Sequence, residues 1–495
     1  MTVNRRVNPK KLRPYDVPPK RRRTLIPDAP DSAATGYLIV AALWLVLAGG
    51  LGLLALGMQL IDFEFTFPLL FGFEFAFDQQ RVEYAFVNAT VYGWLSNAGF
   101  AAVAFMTPRL VGRPLPMEKI LMLGLVVWNS ALFGGLALLY VLPIGPHAPL
   151  TAFPWFVDGG LALGALIVTG AFLATAALSL RTGYISLWFA GVALLSLLGL
   201  VSLNAGLGLL DFFFNWDDLP VALASAFVEE GIPLLWLLGI AYAGLHYVVP
   251  RSTGQPLAWA GIGMLSFLTW LVLAPVAALS VVADASIPYA ITSVGVVGSM
   301  LLLVPASLTV INLLQTMQGR WTLTFGPGAA SFAVVAVVFL FAASLLEAIG
   351  ALRVVDEFVG RTDWERGVFL WSTFGTFSFA AFALAEHALP RILRRSWGGG
   401  FLSGAQLWLA FGGVTIAGLA LMGGGLAEAS LLGQGTSFDA IDQGVLPYRA
   451  IAFAGFGMVA LAGLAAVVNL FLMYTAGART DYAMPGGSTA TAAGH

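Results

Sequence analysis

No cysteine occurs in the chain, and only four of its 495 residues are histidine. The first absence excludes disulfides, thiolate metal sites and cysteine-attached haem. The second leaves little imidazole for metal ligation. Charge is scarce as well: charged residues make up 10% of the sequence and hydrophobic residues 59%, with a formal net charge of -2. That balance excludes an ordinary soluble domain. What is left is a protein built for a membrane.

Apolar runs long enough to cross a bilayer, about 20 residues each, recur twelve times in the sequence. They fall near 36–60, 84–106, 117–142, 154–180, 185–212, 222–249, 257–283, 288–317, 329–351, 367–390, 402–427 and 448–475. In lipid only helices or closed barrels satisfy every backbone group, and runs of this length are helices. The expected fold is therefore all-α and polytopic. A basic tail (1–35) leads into one membrane domain (36–475), and a short tail (476–495) closes the chain.

Lys and Arg set the orientation. The tail carries Arg5, Arg6, Lys10, Lys11, Arg13, Lys20, Arg21, Arg22 and Arg23. Placing it in the cytoplasm also puts Arg109, Arg113, Lys119, Arg181, Arg251, Arg320, Arg391, Arg394, Arg395 and Arg479 inside. Only Arg81, Arg353, Arg361, Arg366 and Arg449 then lie outside. Both termini are expected to be cytoplasmic in a prokaryotic plasma membrane. The basic tail reads as a topology signal attracted to anionic lipid rather than a nucleic-acid arm, and no cleavage pattern follows it.

An internal repeat underlies the helices. The second run ends in Thr107-Pro108-Arg109, followed by Gly112-Arg113-Pro114-Leu115. The sixth ends in Val249-Pro250-Arg251, followed by Gly254-Gln255-Pro256-Leu257, and the tenth in Leu389-Pro390-Arg391. Prolines at 108, 250 and 390 stand 142 and 140 residues apart, four helices per repeat. Proline ends a helix by removing a donor and clashing with the preceding turn, and arginine suits a cytoplasmic helix end. The spacing predicts three four-helix arcs about a pseudo-threefold axis.

This layout resembles the catalytic subunit I of haem–copper oxygen and nitric oxide reductases, most closely the C-type cytochrome c oxidase branch. The resemblance runs through all twelve helices. It is carried by Asn88-Ala89 with Gly93-Trp94-Leu95-Ser96, by His246-Tyr247-Val248-Val249-Pro250-Arg251, and by Thr362-Asp363-Trp364 running to Pro390-Arg391. The family uses haem and copper held by histidines, and the resemblance implies where those should stand. The helix-two haem ligand maps to Phe86, the helix-six copper ligand to Glu230, and the helix-seven pair after Pro275 to Val276 and Ala277. The two helix-ten haem ligands map to Val368 and Leu370, and a family tyrosine maps to Trp270. The repeat agrees with this register. Phe86 and Val368 each lie 22 residues before their prolines (108 − 86, 390 − 368), and Glu230 and Leu370 lie 20 before theirs (250 − 230, 390 − 370).

Haem iron needs an axial His, Met, Cys or Tyr, and copper prefers imidazole or sulfur. Phe, Val, Ala and Leu offer no lone pair, and a single Glu is a poor copper site. No haem or copper is therefore expected. His147 falls in an outer loop, His246 and His387 near cytoplasmic helix ends, and His495 at the terminus. Membrane acids carry the sharper signal, because an acid at a helix centre usually faces a partner or a cavity. Glu229, Glu230 and Glu347 are the candidates, and Asp158 starts helix four. Glu347 loosely resembles a family glutamate, with pairing to Arg353 as the structural alternative. Glu230 reads either as a hydrogen-bonded neutral acid or as part of a proton or cation pathway.

Phenylalanines 63, 65, 67, 71, 73, 75 and 77 alternate around Pro68 and Gly72, which predicts a hairpin outside the membrane. Gly159-Gly160-Gly164 and Gly423-Gly424-Gly425 predict close helix packing. The expected function is a catalytically silent subunit I-like protein, structural or regulatory in a respiratory complex, docking other membrane subunits such as a cytochrome c-type one. A transporter or ion pathway reusing the emptied core is the alternative, and an active oxidase with unconventional ligands is another. Two missing haems would leave a gap, to be closed by inward movement of helices or by an apolar molecule such as a lipid tail or quinone.

Overall fold

The computed structural model describes residue 27 and residues 29–479, apart from 62, 70–73, 113–117, 143–147, 177–182, 215–217, 281–288 and 398–399. The basic stretch 5–23, Arg113, Arg181, Phe71, Phe73, His147, His495 and the end of the C-terminal tail lie outside the described residues.

The described chain is almost wholly helical. We number the long helices α1 (Ser32–Met58), α2 (79–111), α3 (Glu118–Leu139), α4 (Trp155–Ala176), α5 (Ile185–Phe214) and α6 (218–253). The rest are α7 (Ala260–Ala277), α8 (Tyr289–Leu301 continuing in Leu303–Thr316), α9 (Ala329–Gly350), α10 (Asp363–Leu393), α11 (Gly400–Gly433) and α12 (Phe438–Ala476). Eleven helices among the described residues are long and apolar enough to cross a membrane. The run expected at 84–106 is not among those eleven, although it lies in the unbroken helix α2.

Successive helices pack side by side, and α12 returns onto α1, so the outer helices enclose α2, α6 and α10. In α6, 89% of the most apolar window is buried, and in α10 67%, against 33% for α7 and α12. That contrast separates an inner layer from an outer one. Without a hydrophobic drive between helices in lipid, small residues let backbones approach. A methyl on Gly160 would meet Ala131 Cβ at 2.7 Å, and one on Gly164 would meet Trp128 at 3.0 Å.

The three repeat prolines do not end their helices. Each sits inside the last turn, and the helix runs on to Val111, Thr253 or Leu393. The stop comes four residues after the proline, from a left-handed residue: Gly112 (φ 70°), Gly254 (φ 68°) and Arg394 (φ 51°). Glycine takes that conformation freely; in the third repeat arginine adopts it.

Outside the helices, β1 (Phe65–Pro68) and β2 (Glu74–Phe77) form the expected antiparallel hairpin, pairing Phe65 with Phe77 and Phe67 with Phe75. Both pairs stack at 5.0 Å, and Tyr140 stacks on Phe75 and Phe77. Burial, with help from the Asp78 carboxylate, pushes the Tyr140 hydroxyl up to about 12.

Two polar clusters fix the helix ends. Glu118 of α3 accepts the backbone N–H groups of Asp31 and Ala33 at 3.0 Å each and so caps α1 from a neighbouring helix. Asp31 in turn takes a two-pronged ion pair from Arg109 of α2 at 2.7 and 2.8 Å. At the opposite end Asp363, 1% exposed, accepts Arg366 and Arg449, both at 2.8 Å. Glu428 takes the Asp363 N–H, and Arg366 reaches Glu83 of α2. This second cluster ties α2, α10, α11 and α12 together. Replacing Asp363 by Asn is expected to cost about 3 kcal/mol, because Arg449 keeps its charge while losing its buried partner. Glu83→Gln, in a half-exposed pair, should cost less than about 1 kcal/mol. Unfolding midpoints in detergent test the ranking.

Candidate functional site at the junction of the inner helices

Each inner helix contains one π-helical segment: Ala89–Leu95 in α2, Ile232–Leu237 in α6 and Trp371–Phe377 in α10. All three end 13 residues before the repeat proline (108 − 95, 250 − 237, 390 − 377). Such segments widen a turn by one residue and recur at functional sites. Two of them have a serine directly after. Ser96 donates to the Val91 carbonyl and Ser378 to the Thr373 carbonyl, both at 2.8 Å and both five residues back.

The same serines receive the neighbouring helix. The indole N–H of Trp236 donates to Ser96 Oγ at 2.9 Å, and that of Trp94 donates to Ser378 Oγ at 2.8 Å. Each indole leans on the phenylalanine one turn beyond its serine, Phe100 at 5.4 Å and Phe382 at 5.3 Å. So α6 is linked to α2, and α2 to α10, by the same device. The third link has no counterpart, since the equivalent positions hold Thr376 and Leu238.

Below these bonds lies an apolar cavity of about 30 Å³, roughly the space of one water. Its wall has four layers of three, one residue from each inner helix: Leu95, Leu237 and Phe377, then Ala98, Ile240 and Ala380, and two more in the same order. Towards the Pro-Arg end Phe105, Tyr247 and His387 meet edge to face at 5.9–6.2 Å. Arg109 and Arg251 each cover a ring of that trio at 3.8 Å.

Of the sequence-derived positions, Phe86, Glu230, Val368 and Leu370 lie about two to three turns before this cavity on the inner helices, and Trp270, Val276 and Ala277 lie on α7. Phe86 is buried, parallel to Phe374 at 6.0 Å, and edge-on to Phe369 at 6.4 Å and Phe456 at 5.6 Å. Val368 and Leu370 are buried on either side of Phe369. Val276 and Ala277 pack on Gly298 of α8, where a methyl would meet Val276 at 2.8 Å. Trp270 is fully buried and donates to the Leu234 carbonyl at 3.0 Å. Glu230 is half-buried in α6. Glu229 accepts the Leu150 N–H at 2.9 Å, which ties α6 to the loop before α4. Glu347 accepts Ser372 Oγ at 2.7 Å, while Arg353 donates to Thr292 and Ser293.

His246 and His387, near the Pro-Arg ends of α6 and α10, are buried inside the bundle. His246 donates Nδ1–H to the Tyr242 carbonyl and stacks on Phe189. Asp158 is likewise buried and accepts Asn204 at 2.8 Å. Two features went unmarked in the sequence. The pairing of Asp363 with Arg449 spans 86 residues and leaves no local trace. Glu386, by contrast, is an acid within a membrane helix, four residues before Pro390, and the search that found Glu347 applies to it equally.

The model of the family "Cytochrome C and Quinol oxidase polypeptide I" matches residues 32–458. The chain belongs to that family. Among solved structures 58 chains match. One is a haem–copper terminal oxidase dimer determined by cryo-electron microscopy, 15% identical, with a TM-score of 0.71 over 91% of this chain and 85% of that one. At that identity the likeness establishes the fold. No curated protein matches.

Membership implies haem and copper, and the residues around the inner helices do not fit them. The positions that the resemblance gives to ligands hold Phe86, Glu230, Val276, Ala277, Val368 and Leu370, of which Glu230 alone carries a ligating atom. His246 and His387 lie beyond the cavity, towards the Pro-Arg ends of α6 and α10. The indoles of Trp236, Trp94 and Trp270 already donate to Ser96, Ser378 and Leu234, and an indole nitrogen has no lone pair to give a metal. Replacing Ser96 by Ala is expected to lower stability by about 1–3 kcal/mol, because the buried Trp236 N–H loses its acceptor. Thr376→Ala, where the repeat has no such bond, should cost less, and thermal unfolding of both variants separates them.

Proposed function

We propose that this family member is catalytically silent and serves as a structural or regulatory membrane subunit of a respiratory complex. The observation that carries the proposal is the packing of Phe86 among Phe369, Phe374 and Phe456. Aromatic side chains occupy the volume between α2, α10 and α12, and none of them supplies a metal ligand. The narrow cavity where α2, α6 and α10 meet favours inward packing over a lodged lipid or quinone. We further infer the C-type branch, α2 as a twelfth span, three four-helix arcs, and a prokaryotic plasma membrane with both termini cytoplasmic. The layered wall of the cavity and the Pro-Arg spacing support the arcs. The exposed Phe63, Phe65 and Phe67 support docking of another subunit, such as a cytochrome c-type one.

The second reading is an ion or proton pathway. The acids Glu229 and Glu230 of α6 and Glu347 of α9, all within membrane helices, favour it, since acids inside a membrane bundle often mark a polar route. Isolation of the native complex separates the two readings. Co-purification with cytochrome or oxidase subunits supports the first, and a lone protein that moves ions in proteoliposomes supports the second.

Reduced-minus-oxidised spectra of the purified chain should show no haem bands, and metal analysis should find no stoichiometric iron or copper. Stoichiometric haem overturns the proposal. Adding ligands alone should not change this: Phe86→His combined with Leu370→His is expected to stay haem-free, because Phe369, Phe374 and Phe456 still fill the space. Uptake of haem by that variant would mean the cluster yields and the site is dormant rather than lost.

A further inference from the structure

Glu386 of α10 is 9% exposed and lies within a membrane helix. Among the described residues it has no arginine, lysine or histidine as a partner. Its contact is Ser403 of α11, whose hydroxyl donates to Glu386 Oε1 at 3.1 Å. Ser403 Oγ itself accepts from Asn469 Nδ2 of α12 at 2.8 Å. In this chain asparagine donates to serine and serine donates to the carboxyl, the direction that suits an ionised carboxylate.

That polarity leaves oxygen over. Asn469 Oδ1 is buried with no hydrogen-bond partner, on a residue with no exposed surface. Because Oδ1 and Nδ2 share one amide carbon, this oxygen lies within about 5 Å of Ser403 Oγ by covalent geometry and the hydrogen-bond length. Glu386 contributes one more acceptor in its second carboxylate oxygen. Its backbone carbonyl also lacks the usual i+4 donor, because residue 390 is proline. Gln406, one turn beyond Ser403, is 5% exposed and brings another amide to the same face. A buried carboxylate met by one hydroxyl and a buried amide oxygen met by no donor are each costly in a low-dielectric interior.

We propose that Glu386, Ser403 and Asn469 form a binding site for one monovalent alkali cation between α10, α11 and α12. The donor set is oxygen only, which suits hard cations and excludes soft ones. One carboxylate balances one positive charge, and among the described residues no cluster of three or more His, Cys, Asp or Glu exists to hold a divalent metal. Ser403 lies in the first turn of α11, whose N-terminus stabilises the carboxylate that Ser403 contacts. The site lies towards the Pro-Arg end of α10, four residues before Pro390, and is independent of the haem-free reading of the core.

The test is thermal unfolding of the full chain in detergent, in sodium, potassium or choline chloride at equal ionic strength. A cation bound only by the folded state stabilises it in proportion to the logarithm of its concentration above Kd. The midpoint is expected to rise with sodium or potassium and not with choline. Glu386→Gln, which keeps shape and removes charge, should abolish that dependence, and Asn469→Leu should move the half-saturating concentration up about tenfold. Equal midpoints of the native chain in all three salts would overturn the proposal, as would an undiminished cation effect in Glu386→Gln. If Glu386→Gln does not fold, Ser403→Ala takes its place with the same expectation. Line broadening in sodium-23 NMR, reversed by potassium in the native chain, provides a readout without unfolding; no broadening counts against the site.

Discussion

Two indole-to-serine hydrogen bonds hold the inner helices at their spacing, and most of the interior follows from that spacing. Helices in lipid gain nothing from burying apolar surface against one another, so shape and a few polar contacts decide how close they come. Trp236 on Ser96 and Trp94 on Ser378 set α6 against α2 and α2 against α10. With those distances fixed, the next turns can be no wider than the small residues Ala98, Gly99, Ala102 and Gly244 allow, and the cavity shrinks to the size of a water. The aromatic trio Phe105, Tyr247 and His387 closes the axis one turn further on. The bonds themselves depend on the π segments, because a widened turn leaves the carbonyls of Val91 and Thr373 for Ser96 and Ser378 to bind.

Those π segments also mark where sequence reasoning held and where it slipped. Apolar runs, the phenylalanine hairpin and the Pro-Arg repeat are local or periodic, and each is legible in the chain; the family match over residues 32–458 agrees with them. Depth along the inner helices was legible too, since the same subtraction from each proline lands on equivalent layers. The π turns were not legible. Each carries one extra residue, and because all three inner helices carry one at the same distance from the proline, the register of Phe86, Glu230, Val368 and Leu370 relative to one another is kept. Val276 and Ala277, on an outer helix, pack on Gly298.

Long-range polar pairing was the other illegible layer. Arg449 is an ordinary loop cation in sequence, yet in the fold it neutralises an aspartate that is 1% exposed. His246 and His387 sit close to helix ends, which suggests headgroups, but the neighbouring helices cover them. Proximity to a helix end locates a residue along the membrane normal and says nothing about its distance from the bundle axis. For an inner helix those two coordinates are independent, so only packing decides burial.

Asp363 and Glu386 meet burial in opposite ways. Asp363 is matched within the chain by two arginines, with Glu83 and Asp442 completing their remaining contacts. Glu386 is met only by a hydroxyl, and the amide oxygen beside that hydroxyl is met by nothing. An aspartate with two guanidinium partners needs nothing further, whereas a carboxylate without a cation is costly in a low-dielectric interior. That contrast is why Glu386, rather than Asp363, is the acid to which a cation from outside the chain is assigned.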